Sequence, residues 1–199
     1  EAAVRKIRDF RLRLSLKETR RRCRKAADLA ALGVEDDRSF QALLDRFEAA
    51  ARPAVIFETF GGDTDKTVGL APIPGLANTL GLSTLGPGVE PLLAQARAEG
   101  EARGRLLEAL AAIAVDETVR FVIDLLQEDL ETERCELSPI HFVVEPEPLR
   151  RVLETLQGEK IGLALTEAGA LPPHSAAFCL SWLAQRGRAK AGKVPAKKK

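Results

Sequence analysis

Ala54-Val55-Ile56-Phe57-Glu58-Thr59-Phe60 is the stretch whose reading decides the fold class. β-Branched and aromatic residues dominate it. Pro53 precedes it, and Gly61-Gly62-Asp63 follows as a turn. A short apolar run between such signals reads as a buried strand. Helical patterns lie before it. Phe40, Leu43, Leu44 and Phe47 recur on one helical face, opening near Ser39 and ending at Pro53. Ser15-Leu16-Lys17-Glu18 reads as a capping box, opening a helix that runs past Ala26 and Leu29 to Gly33. Residues 1–14 alternate basic and apolar side chains, as in an edge strand or a short lead-in.

Beyond the strand, Val68 to Leu70 is expected to pair back as another strand. Residues 71–88 are dense in Gly and Pro, and fit either a strand with irregular flanks or a loop lining a cleft. Val89, Leu92, Leu93 and Ala96 share a helical face that Gly100 ends. The strongest helix follows at about 102–131. Its Leu106, Leu107, Leu110, Ile113, Ala114, Phe121 and Leu125 predict burial on most sides. Cys135 to Val144 reads as a loop, then a strand. Pro146 and Pro148 open a helix with Leu149, Val152, Leu153 and Leu156 on its apolar stripe, closed by Gly158. Ile161 to Thr166 and Ser175 to Leu183 are strand candidates, separated by a turn at 171–173. Strands and helices mix without regular βαβ alternation. The expectation is α+β, a single curved domain over 1–185 with a twisted, mainly antiparallel sheet and packed helices. Residues 186–199 are basic and small, and predict a disordered tail.

Composition narrows the chemistry. The chain has 199 residues, 45% of them hydrophobic, enough for a normal core. Its 30 basic and 29 acidic side chains nearly cancel, which argues against nucleic acid as a specific partner. Cys23, Cys135 and Cys179 are sparse and odd in number, as expected in a reducing cytosol rather than in a disulfide framework. No apolar run reaches membrane-spanning length. His141 with Cys135, and His174 with Cys179, lack any CxxC, HxxxH or HExxH spacing, so no metal site is expected. Ser175, His174 and Glu167 lie close in sequence but without a nucleophile elbow. No phosphate-cradling glycine loop is present. The basic run Arg20 to Lys25 reads as a solvated helix face, or as a docking face for an acidic partner.

Four ordered segments carry a family resemblance. They are Thr84-Leu85-Gly86-Pro87-Gly88-Val89-Glu90, then Leu106 to Asp116 after Gly100-Glu101, then Ser138-Pro139, then Ile161-Gly162-Leu163-Ala164-Leu165-Thr166-Glu167 with Pro173 and Ser175. Together they resemble the activation domain of vitamin B12-dependent methionine synthase, especially the short stand-alone members of that family, over about 84–180. The resemblance implies a twisted antiparallel sheet with helices around a cleft. It implies S-adenosylmethionine as methyl donor, cobalamin carried by a partner methyltransferase, and a flavodoxin-like electron donor. It also implies a binding region at Arg134, Glu136, Ser138, Pro139, Ile140, His141, Thr166 and Glu167.

This chain departs from the pattern inside that region. The family loop offers an Arg for the ligand carboxylate, whereas Glu136 stands here and repels it; Arg134 is the nearest substitute, two positions out of register. Ile140 replaces a glycine and adds bulk where backbone should approach ligand, and His141 replaces a tyrosine. The expected function is an accessory protein for a corrinoid-dependent methyltransferase, in reductive reactivation or docking, with weak or absent S-adenosylmethionine binding. The alternative is a degenerate structural or interaction subunit that binds no cofactor. A third reading makes Glu136, His141 and Glu167 acid–base groups of another enzyme.

Overall fold

The computed structural model describes residues 4–185. Strand β1 (Arg5–Arg8) leads into α1 (Leu16–Cys23) and α2 (Asp37–Ala50). Then come β2 (Ala54–Gly61), β3 (Ala77–Thr84), α3 (Val89–Glu99) and the long α4 (Glu101–Glu133). The short strands β4 (Cys135–Leu137) and β5 (His141–Phe142), α5 (Pro146–Leu156) and β6 (Ser175–Ala184) complete the order. The strands form one sheet in the order β1-β2-β3-β6-β4, with β5 also on β6, and every pairing is antiparallel. The class is α+β, and the sheet does not close into a barrel. Among the described residues no helix is long and apolar enough to cross a membrane. The tail at 186–199 lies outside the described residues.

Alternation along β2 and β6 sorts side chains onto two faces. Val55, Phe57, Phe178, Leu180 and Trp182 pack against Val119, Val122, Leu126 and Leu130 of α4. Ile56, Leu80, Leu82 and Cys179 pack against Leu149, Val152, Leu153 and Leu156 of α5. A third cluster is mainly helical, joining Phe40, Leu44 and Phe47 of α2 to Leu93 of α3 and Leu106 and Leu110 of α4. Phe10 stacks on Phe121 at 3.9 Å between centroids, and packs against both the helical cluster and the α4-side sheet cluster. Gly81 is required where it stands, because any Cβ there would run into the ring of Phe178.

Several expectations need correction. Helix α1 starts as read, with Ser15 Oγ accepting from the Glu18 N–H, but it ends at Cys23. Glu18 pairs with Arg21 instead of closing the capping box, and residues up to Gly33 form turns. Val68 to Leu70 is a turn, not a strand. Leu70 and Ala71 N–H both donate to Thr67 O, and β2 is already paired by β1 and β3. Ile161 to Thr166 is not a strand either. Gly158–Ile161 forms a 3-10 turn, Gly162 takes a positive φ, and both edges of β6 are occupied. Ile161 and Leu163 are buried on the α5 side without a ladder. In α4, Phe121 and Leu125 are only half-buried. Beyond Ala114 the helix buries one stripe, Thr118, Val119, Val122, Leu126 and Leu130, rather than most of its sides. Cys135 to Leu137 is a strand where a loop was expected.

Candidate functional site

The segment from Arg134 to Phe142 runs along β6 as an interrupted edge strand. Arg134 caps α4 in the left-handed region (φ 52°), with its side chain exposed and its carbonyl accepting from Gln185 N–H at 3.0 Å. Glu136 is exposed and opposite Leu183. Ser138 is buried. Its N–H donates to Ser181 O at 2.8 Å, and its Oγ accepts from Ser181 N–H at 2.9 Å and donates to Pro139 O. Leu137 pairs with Trp182, but His141 pairs with Cys179, so the edge strand holds one extra residue at 139–140. This is a β-bulge, and a side-chain hydroxyl supplies the acceptor that the ladder loses there. Pro139, Ile140 and His141 are exposed.

Thr166 and Glu167 lie in an exposed turn that closes on itself. Thr166 N–H donates to Ala170 O at 2.8 Å, and Gly169 N–H to Thr166 O at 2.9 Å. Gly169 sits against Pro146 at the start of α5. Leu165 and Val143 share the α5-side core, so both segments border that layer. Among the described residues no hydrogen bond joins 134–141 to 166–167.

A cavity of about 380 Å³ opens on the opposite face, between the sheet and the C-terminal half of α4. Phe57, Leu76, Ala77, Leu126 and Trp182 give it apolar walls. Thr59, Asp129, Thr132 and Glu133 add polar groups, and Cys135 brings the edge strand to it. Trp182 Nε1–H donates to Thr79 Oγ1 at 2.8 Å, and Thr79 Oγ1 lies 2.8 Å from Thr59 Oγ1, so a hydroxyl chain orients the indole. Arg5 is the one basic side chain among the lining residues, and Asp129 Oδ2 holds it at 3.3 Å. Glu133 has no such cation in the lining. The slot therefore suits an apolar or cationic body and offers no free guanidinium to a carboxylate.

Sequence reasoning missed this cavity. Its signals were present: the chain's single Trp needs a partner for its N–H, and Leu126, Asp129 and Glu133 recur on one face of α4. Of the predicted residues, only the backbone neighbourhood of Arg134 and Glu136 approaches it, through Cys135. His141, Thr166 and Glu167 do not line it.

The remaining groups suit structure better than catalysis. Burial pushes the Cys23 thiol up to about 11 and the Cys179 thiol up to about 12, which keeps both protonated and poorly nucleophilic. His174 Nε2 lies 3.4 Å from Glu90 Oε2 without hydrogen-bond alignment, and Ser175 Oγ donates to Thr84 Oγ1 at 3.2 Å, away from His174. Arg97, with a smaller effect from His174, holds the Glu90 carboxyl below its usual range. Among the described residues no group of three His, Cys, Asp or Glu side chains is placed to hold a metal ion.

No protein-family model matches the chain, and no curated protein matches it in sequence. Its fold is similar to that in the crystal structure of the MetH reactivation domain bound to AdoHcy. The TM-score is 0.57 at 14% identity, over 90% of this chain and 78% of that one. At that identity the likeness is one of fold: the antiparallel sheet with its packed helices is similar in arrangement to that domain.

Proposed function

We propose that this protein is an accessory module for a corrinoid-dependent methyltransferase, acting chiefly by docking to the cobalamin-binding partner during reactivation. The observation that carries the reading is the fold likeness to the MetH reactivation domain over nearly the whole chain. The ordered segments at 84–90, 106–116, 138–139 and 161–167 support it independently.

The residues present fit the α-carboxylate of S-adenosylmethionine poorly. Arg5 is already engaged by Asp129, Arg134 is a solvent-facing helix cap, and Glu136 carries the wrong sign. A lost charge-assisted contact of this kind costs about 1.5–3 kcal/mol. The sulfonium end is easier to accommodate beside Glu133 and Trp182. We therefore assign this chain no methyl-transfer step of its own, and give it the partner-binding part of the role.

Two measurements test the reading. Purification of the full chain with its cellular partners should bring down a protein with the visible absorbance of a corrinoid. Calorimetric titration with S-adenosylmethionine should give no micromolar binding. A stable complex without corrinoid supports the second reading, an interaction subunit of another assembly. The apolar side chains exposed at Ile140, Phe142 and Val144 favour that alternative.

A further inference from the structure

Helix α4 ends on carboxylates. Its last turns read Gln127-Glu128-Asp129-Leu130-Glu131-Thr132-Glu133, and no basic residue stands in the last turn. A helix C-terminus carries the negative end of the macrodipole, so carboxylates there are unfavourable and cations favourable. Arg5 of β1 answers Asp129, and Arg134 follows the helix as its exposed cap. Among the described residues no ion pair reaches Glu128, Glu131 or Glu133. The chain leaves the sheet beside this acidic end. Ala184 closes β6 opposite Cys135. Gln185 N–H then donates to Arg134 O at 3.0 Å, and Gln185 Nε2–H to Cys135 O at 3.2 Å. Outside the described residues the sequence continues as Arg186-Gly187-Arg188-Ala189-Lys190-Ala191-Gly192-Lys193. Residues 186–199 hold seven basic side chains and no acidic one.

We propose that the segment 186–193 docks on the C-terminal end of α4 in the same molecule, its Arg and Lys side chains pairing with Glu131 and Glu133 and, one turn back, with Glu128. The reach suffices. Five residues past Gln185 span up to ~17 Å, whereas Glu128 to Glu133 covers about 7.5 Å of helix. Each exposed pair is weak alone. The tether compensates, because a short linker holds such a segment at an effective concentration on the order of millimolar. Thr132 and Glu133 also line the Trp182 cavity. The docked segment therefore sits at the mouth of that slot and competes with any cationic ligand entering it. This inference does not depend on the corrinoid reading.

Two measurements on the full chain test it. Carbodiimide cross-linking at low salt, read by peptide mass spectrometry, should join Lys190 or Lys193 to Glu131 or Glu133 within one molecule. Glu136 is the internal control, since it is exposed and lies opposite Leu183, close to the same exit. Links to Glu136 should be several-fold rarer. The second measurement turns on a sign. Glu131→Gln with Glu133→Gln should lower Tm at low salt, because the docked cations lose their partners. In a chain that also carries Arg186→Gln, Arg188→Gln, Lys190→Gln and Lys193→Gln, the same pair should raise Tm, because only the clash with the helix dipole is then removed. High salt should shrink both shifts. A Tm change of the same sign in both backgrounds overturns the proposal. So do links as frequent to Glu136 as to the α4 end, links that join two molecules, or no links at all.

Discussion

The two halves of α4 do different jobs with the same backbone. From Gly104 to Ala114 it is wedged among α1, α2 and α3, and its apolar side chains meet other helices on several sides. From Thr118 to Leu130 it lies on the sheet and buries one stripe. Beside that second half the packing leaves the cavity walled by Leu126 and Trp182. Close packing is thus concentrated where no ligand is proposed, and relaxed where one fits.

The largest expected effect breaks or upholds this contrast directly. Leu110→Ala, fully buried among helices, should cost about 2–5 kcal/mol in urea unfolding. Leu126→Ala should fall near the low end of that range, ~2 kcal/mol, because part of its surface already borders empty space. Equal losses would mean that the cavity is closed in solution. Gly81→Ala should cost about 1–3 kcal/mol by displacing the Phe178 ring into the α4 face. Ser138→Ala should cost about 1–3 kcal/mol, since the buried Ser181 N–H loses its acceptor. Both can be read as Tm shifts, and a silent Ser138→Ala would show that the bulge needs no hydroxyl.

The smallest effect is in the thiols. Cys23 belongs to the helical half and Cys179 to the sheet half, and both are raised by burial. A raised folded-state value contributes stability that is full below pH 9 and is lost as pH climbs toward about 11 to 12. At pH 8 both should resist alkylation until the chain unfolds. Earlier labelling of Cys23 in mild denaturant would show that the helical half opens alone.

What could be read from sequence followed local chemistry. The periodicities at 40–47, 89–96 and 149–156 gave helices because each apolar stripe had a surface to cover. The β-rich runs at 54–60 and 175–183 gave strands because their alternation matched two buried faces. Val68 to Leu70 and Ile161 to Thr166 carry similar composition but form turns, with β2 and β6 already paired on both sides, and pairing capacity is a property of the whole sheet. Glu136 could be read as a carboxylate in the edge segment, where it is exposed, but not in relation to the cavity, which it does not line. The cavity was hidden because Arg5, Phe57, Leu126 and Trp182 come from four distant parts of the chain, and only the fold assembles them.

Helix α4 runs unbroken for 33 residues, about 50 Å at 1.5 Å per residue. It therefore ties the two packing regions together in one piece, held near its start by α1 and α3 and along its far half by the sheet. With no break along it, Leu110 in the helical cluster and Leu126 at the cavity wall belong to the same rigid element.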